Sequence, residues 1–142
     1  MPQSNWYRFD VLAEHLSKGV HDFSSHSIKM YLTNNTPSQS THATKTDLPG
    51  ITQQNGYSEA TLTLSVSRSG NVASINCSGD IEWTASGGSF GPFRYVVIYN
   101  DTPTSPADPL IAYWDYGSSV TVQNGEKFTV DLPATICTVT AS

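Results

Sequence analysis

The most constraining feature of this sequence is a series of short segments in which apolar and polar residues alternate. Between Ile28 and Thr33 the even-numbered residues are Ile, Met and Leu, a pattern typical of a half-buried β-strand. Further strand-like segments follow Tyr57 at short intervals: Ala60–Ser67, Val72–Cys77, Ile81–Thr84, Phe93–Tyr99, Leu110–Asp115, Val120–Gln123, Lys127–Asp131 and Thr135–Thr140. Such spacing predicts a mainly β fold, an antiparallel β-sandwich or jelly-roll-like domain.

Short turns predict which strands are neighbours. Asn124-Gly125 is typical of a two-residue type I′ turn between antiparallel strands, and Ser69-Gly70-Asn71 is a weaker example of the same turn. Both therefore predict hairpins. The segment Asp101–Pro109 contains three prolines, which lack a backbone donor and restrict φ, so it predicts a connection between strands.

One α-helix is predicted, between about Arg8 and Val20. Its apolar residues recur at spacings of three and four and so share one face: Phe9, Leu12, Leu16 and Val20. Gly19 is a typical residue for the end of a helix. A helix this short is stable only when it packs on a sheet.

The stretch from Asn34 to Gly56, called the arm below, predicts a long loop. It contains Pro37 and Pro49, many Ser, Thr and Gln residues, and few large apolar side chains. Long loops without secondary structure commonly have a function in binding. We therefore expect the arm to be mobile in isolation or to be held by a partner outside the domain.

Length and charge narrow the class of protein. The 142 residues fit a single β-rich domain over 1–142. The net charge of −5 argues against nucleic acid as a partner. No stretch approaches 18 consecutive apolar residues and the first ten residues do not resemble a signal peptide, so we expect no membrane association and synthesis in the cytoplasm.

Recognisable metal-binding motifs are absent from the sequence. Four histidines occur, His15, His21, His26 and His42, without an HExxH or CxxC pattern. His15 and His21 are six residues apart and would point in different directions from a helix. We interpret them as surface histidines near a helix end, and expect no metal and no cofactor.

Catalytic groups are equally inconspicuous. No GxSxG turn is present, although the sequence leaves open a Ser–His–Asp set assembled from distant loops. Asp80 and Glu82 alternate on one predicted strand, which favours a solvent-facing pair over two carboxylates placed across a glycosidic bond. Cys77 and Cys137 are interpreted as small apolar residues in strands. We expect no catalytic residues and a protein that is not an enzyme.

Aromatic residues are concentrated between positions 83 and 116. Alternation predicts that the odd-numbered residues from Phe93 to Tyr99 share one face, with apolar residues also on the other face. Such a strand is either central and buried on both sides or covered by a neighbouring chain. Tyr113 and Trp114 are adjacent and must face opposite ways. Two interpretations stay open: either all of these aromatic residues form the core of one domain, or one of these two is available to a partner.

Three sequence runs resemble a family of small structural proteins of tailed-bacteriophage virions. They are ASGGSFGPFRYVVIYND (85–101), PLIAYWDYGSSVTV (109–122) and NGEKFTVD (124–131). Upstream, LAEHLSKGVHDFSSHSIKMYLTNNTP (12–37) and NGY (55–57) resemble the same family, so the likeness covers nearly the whole chain. The resemblance implies a non-enzymatic virion building block. The role that the resemblance implies first is that of a capsid decoration or cement protein, which stabilises the head. The second role is that of a tail or adaptor subunit.

This resemblance also implies partners and a location. The partners are the major capsid protein and further copies of the chain, for which a trimer is suitable symmetry, and the location is the capsid surface of the virion. The alternative class is a carbohydrate-binding module of a tail or fibre, with Trp114 or Tyr116 stacking on sugar rings. The residues expected at the interface are Trp6, Tyr7, Asn34, Pro37, Pro49, Pro103, Pro106, Trp114 and Tyr116.

Overall fold

A computed structural model describes residues 6–141 of the chain. Within this range it contains one α-helix, α1 (Val11–Ser17), and a 3₁₀ turn at Lys45–Asp47. The strands are β1 (Trp6–Arg8), β2 (Ile28–Thr33), β3 (Ala60–Thr61), β4 (Thr63–Ser69), β5 (Val72–Ser78), β6 (Ile81–Thr84), β7 (Phe90–Asn100), β8 (Leu110–Val122), β9 (Lys127–Val130) and β10 (Thr135–Thr140). The predicted mainly β fold with antiparallel sheets and one N-terminal helix is confirmed.

The largest sheet has five strands in the order β1-β8-β7-β2-β3. Every pairing in it is antiparallel, and β7 lies at its centre. The alternation predicted for β2 is confirmed, because Ile28, Met30 and Leu32 belong to one hydrophobic core and Tyr31 belongs to another. We call the face of Ile28 the inner face and the face of Tyr31 the outer face.

A second layer of strands packs on the inner face. It consists of a three-stranded sheet, β10-β5-β4, and a two-stranded sheet, β6-β9. Its core side chains pack in one cluster with Met30, Val96 and Ile98 of the large sheet; they include Ile75, Trp83, Phe128, Val130 and Ile136. This arrangement is sandwich-like, and it buries the apolar face of each sheet against the other.

One of the two predicted hairpins is present. Ser69 pairs with Val72 across Gly70-Asn71, so β4 and β5 are joined as predicted. Asn124-Gly125 also forms a tight turn, with the Glu126 amide donating to the Gln123 carbonyl at 2.8 Å. The predicted pairing of the flanking strands is wrong, because β8 stays in the large sheet whereas β9 pairs with β6.

The alternation predicted for residues 93–99 is wrong at its first position. Val97 and Tyr99 lie on the outer face, but Phe93 packs in the inner core. The register of β7 and β8 shifts between Phe93, which lies opposite Val120, and Tyr95, which lies opposite Asp115. This irregularity interrupts the period of two, so a count of odd and even positions fails across it.

The helix is shorter than predicted, Val11–Ser17 instead of about 8–20. Arg8 belongs to β1, and Asp10 is the N-cap. At the other end, Gly19 has a φ of +72°, which turns the chain back after Lys18. No helix within residues 6–141 combines the length and the apolar character needed to span a bilayer.

Candidate docking surface

The arm folds onto the outer face of its own sheet. Leu48 is 0% exposed and packs in a core with Tyr31, Val97 and Tyr99. The Tyr31 hydroxyl donates to the Leu48 carbonyl at 2.5 Å, and the Ile51 amide donates to the Leu32 carbonyl at 2.9 Å. The expectation that the arm is mobile or needs an outside partner is therefore wrong, since one leucine and several backbone hydrogen bonds hold it within the chain.

A polar cluster under the arm adds a second point of attachment. Lys45 forms an ion pair with Glu59, and the Tyr99 hydroxyl donates to the same carboxylate. The Lys45 ammonium also lies 5.2 Å from the centre of the Tyr31 ring and 4.9 Å from that of Tyr99. Burial raises the pKa of both tyrosines above its usual value, which keeps them protonated as donors.

The proline-rich connection lies beside the arm. The Lys45 amide donates to the Asp108 carbonyl and the Leu110 amide donates to the Ala43 carbonyl, both at 2.9 Å. Pro103 and Pro106 are half-buried in this connection. The arm and the proline-rich connection, which both contain residues expected at the interface, therefore form one layer over the sheet.

The predicted arm residues differ in their exposure. Asn34 and Pro49 are exposed, whereas Pro37 is buried and unavailable to a partner. Asn34 accepts a hydrogen bond from the Ser119 hydroxyl at 2.8 Å. This contact ties the start of the arm to the bulged part of β8.

The N-terminal segment contributes the most exposed aromatic side chain of the described residues. Tyr7, on β1, is 43% exposed and stacks on Tyr113 of β8, with ring centres 5.3 Å apart. Trp6 points the other way, is half-buried and packs against Trp114 at 6.3 Å. Of these two predicted residues, Tyr7 is therefore the one that faces solvent.

An ion pair lies next to these tyrosines. The Arg94 guanidinium donates two hydrogen bonds to Asp115, at 2.9 and 3.1 Å, and lies 5.4 Å from the centre of the Tyr95 ring. Hydrogen bonding from Arg94 lowers the pKa of Asp115 below its usual value, so the pair stays charged. Tyr95 is only 6% exposed and lies beneath this surface, with its ring centre 6.3 Å from that of Tyr113. We call the five residues Tyr7, Arg94, Tyr95, Tyr113 and Asp115 the tyrosine patch.

Four members of the tyrosine patch were not among the predicted interface residues. Alternation places Tyr113 and Asp115 on one face of β8, and this signal was available in the sequence. What the sequence did not show is that β1 adds to the edge of β8 and brings Tyr7 opposite Tyr113. A three-residue strand is too short for a pattern to predict.

Trp114 is 1% exposed and belongs to the inner core. The prediction that it serves as an interface residue or a platform for sugars is wrong, because adjacent Tyr113 has the outward position. Tyr116 is half-buried, with its ring against Trp114 at 5.8 Å and Phe128 at 5.6 Å. Its ring makes T-shaped contacts with both neighbours.

A mainly apolar groove of about 640 Å³ separates α1 from β10. Leu12, Ala13 and Leu16 line the helix side, and Cys137 and Val139 line the strand side. Leu12 is buried, but Val139 is 44% exposed. The groove is open. The charged residues in its lining are Arg8 and Asp10, which lie at one end.

Two of the four histidines, His15 and His21, are buried, whereas all four were expected at the surface; His26 and His42 are half-buried. His15 is 6% and His21 is 8% exposed, and their ring centres lie 5.9 Å apart because the chain turns back at Gly19. The Asn100 side-chain amide lies 3.0 Å from His21 Nδ1 and 2.9 Å from His26 Nδ1. Burial lowers the pKa of His21 to about 4, so the ring is neutral near pH 7.

The other candidate catalytic and metal-binding residues do not form one cluster. Glu82 is exposed and lies 3.6 Å from Lys127, whereas Asp80 accepts a hydrogen bond from the Leu132 amide. Cys77 and Cys137 are free thiols whose pKa is raised by burial. Among residues 6–141, no group of three or more His, Cys, Asp or Glu side chains is placed to hold a metal ion.

Comparison with family models, with curated proteins and with solved structures found no match to this chain.

Proposed function

We propose that this chain is a non-enzymatic structural protein of a tailed-phage virion, a capsid decoration or cement protein that binds the major capsid protein and stabilises the head. The observation that carries the proposal is the tyrosine patch. Tyr7 is exposed and Tyr113 half-buried on the outer face of the large sheet. Tyrosine and arginine are the side chains most enriched at the energetic centres of interfaces.

The sequence resemblance supports a particle as the setting for this surface. A patch of five residues is small beside the 20–30 residues that a standard interface takes from each partner. A protein with such a patch binds firmly when its copies are joined to one another and engage a repeating surface together, because the later binding events are then intramolecular. A capsid lattice supplies that repeating surface.

The first test is the number of copies per purified particle, measured by quantitative mass spectrometry against the major capsid protein. Approximately one copy per capsid protein, or per local threefold axis, supports the decoration role. A few copies per hundred would instead support the tail or adaptor role. Absence from particles would exclude a virion protein.

The second test is rebinding of purified variants to particles that lack the protein. Tyr7→Ala removes the exposed ring of the patch, and we expect at least about tenfold weaker binding, in the range of an interface hot spot. Val139→Ala is the matched control, because Val139 is 44% exposed but lies away from the patch. Equal binding of both variants and the unmodified chain would exclude the patch as the docking surface.

A further inference from the structure

Strand β4 is the longest of the strands that lie at the edge of a sheet within residues 6–141. It has seven residues and pairs only with β5, on one side. The other edge strands have between two and six residues. Every residue of β4 except Leu64 is exposed.

The hydrogen bonds of β5 show which backbone groups of β4 point outward. The Cys77 amide donates to the Ala134 carbonyl, and the Asn71 carbonyl accepts from the Ala141 amide, so the odd-numbered residues of β5 face β10. The even-numbered residues therefore face β4, where the register places them opposite Thr63, Ser65, Ser67 and Ser69. The N–H and C=O groups of Leu64, Val66 and Arg68 consequently point away from the sheet.

This edge has only one of the features that normally prevent pairing with another strand, the charged side chain of Arg68. Proteins protect edge strands with charged residues, above all lysine, and with proline, bulges or a covering segment. The sequence of β4, TLSVSRS, contains neither lysine nor proline, and its register with β5 is regular from Thr63 to Ser69. By contrast, β10 has an irregular register and Arg8 donates to its Ile136 carbonyl.

We propose that β4 pairs with β4 of a second copy of the chain, antiparallel and centred on Val66. A two-fold axis at Val66 places this residue opposite itself, Leu64 opposite Arg68 and Ser65 opposite Ser67. The outward groups of Leu64, Val66 and Arg68 then meet the same groups of the second copy, in six hydrogen bonds by count of three donors per strand. The two three-stranded sheets become one sheet of six strands.

Self-complementarity is the reason that the occupant is a second copy. Val66 is 45% exposed at the middle of the strand, and the pairing buries it against its symmetry mate. Arg68 is the only charged residue of β4, and it lies opposite an apolar residue, so no like charges face each other.

Sedimentation equilibrium of the full chain tests the proposal. We expect a reversible dimer with a dissociation constant below about 1 mM. Val66→Lys places two ammonium groups opposite each other at the axis and should raise this constant at least about tenfold. Val139→Lys introduces the same charge at an equally exposed position of β10, and should change it less than about threefold.

Amide hydrogen exchange tests the register of the proposed pairing between the two β4 strands. With rising concentration, the amides of Leu64, Val66 and Arg68 should become protected in the unmodified chain and not in Val66→Lys. A chain that remains monomeric at about 1 mM would overturn the proposal. So would a dimer that Val66→Lys leaves intact, or one that both lysine variants weaken equally. Because these measurements need no phage particle, they are independent of the virion role.

Discussion

At the level of single residues, Leu48 is the side chain on which the position of the arm most depends. It is completely buried between the arm and the outer face of the large sheet. We expect Leu48→Ala to lower the free energy of unfolding by about 2–4 kcal/mol, because it removes buried methyl groups and leaves a cavity. Urea denaturation measures this difference.

The neighbouring variant Thr46→Ala is the control for Leu48→Ala, since Thr46 is exposed on the same 3₁₀ turn. Its effect should stay within about 0.5 kcal/mol. A similarly small effect of Leu48→Ala would contradict the packing of the arm on its own sheet.

Because His21 is buried, we expect the free energy of unfolding to fall in mild acid. Burial lowers the pKa of His21 to about 4 in the folded chain, against about 6.5 for an unfolded histidine. Between these two pH values the unfolded state therefore binds more protons than the folded state. The contribution of His21 to the free energy of unfolding is fully present above about pH 6.5 and is lost as the pH falls towards 4. The loss from this residue should be about 2 kcal/mol.

His21→Gln should remove most of that dependence, because glutamine does not titrate. Comparing urea denaturation of both proteins from pH 7 to pH 4.5 isolates the histidine, since the carboxylates are common to both. If the two proteins lost stability in parallel, the buried neutral state of His21 would be wrong.

At the level of elements, Gly56 determines how closely the end of the arm approaches β6. It has a φ of +94°, and a Cβ there would lie 2.2 Å from the Thr84 carbonyl oxygen. The same contact region includes the hydrogen bond from the Ser86 amide to the Asn55 carbonyl at 2.9 Å. A side chain at position 56 would therefore push the arm and the strand apart.

Gly79 offers a matched control, because its φ is +82° but a Cβ there would meet nothing within 4 Å. We expect Gly79→Ala to cost about 1 kcal/mol from backbone strain alone. Gly56→Ala should cost at least about 2 kcal/mol more, because of the additional overlap. Thermal unfolding compares the two variants, and equal costs would argue against the close approach.

At the level of the whole molecule, the arm and the sheets should unfold together. The Lys45 side chain is 26% exposed and its amide is bonded to the proline-rich connection. Trypsin should therefore cut after Lys45 only in globally unfolded molecules, with a urea dependence equal to the equilibrium m value. Site-resolved mass spectrometry of the cleavage products measures this rate.

Lys18 is the comparison site for this proteolysis. It is 66% exposed at the end of α1, where fraying opens the chain locally. Cleavage after Lys18 should show a weaker dependence on urea than cleavage after Lys45. A weak dependence at both sites would mean that the arm opens separately from the core.

Features that depend on local patterns were predictable from the sequence. The alternation in β2 follows from a period of two, and the bounds Ile28–Thr33, Ile81–Thr84 and Thr135–Thr140 agree with the structure. The Gly70-Asn71 turn joins β4 and β5 as predicted, whereas Asn124-Gly125 turns the chain without pairing the strands on either side of it. For the tyrosine patch, Tyr7 was predicted and Tyr113 was an alternative to Trp114, whereas Arg94, Tyr95 and Asp115 were not predicted.

The sequence by itself determined the mainly β fold, the single N-terminal helix and the presence of apolar residues on both faces of β7. Only the tertiary structure decided what covers each face: the arm over Tyr31 and the second layer over Trp114. The tertiary structure also decided that β9 pairs with β6 instead of β8, and that the ring of His21 lies next to that of His15. The physical reason is that hydrophobic burial is not directional. An apolar pattern shows that a face must be covered, but which segment covers it depends on contacts between distant parts of the chain.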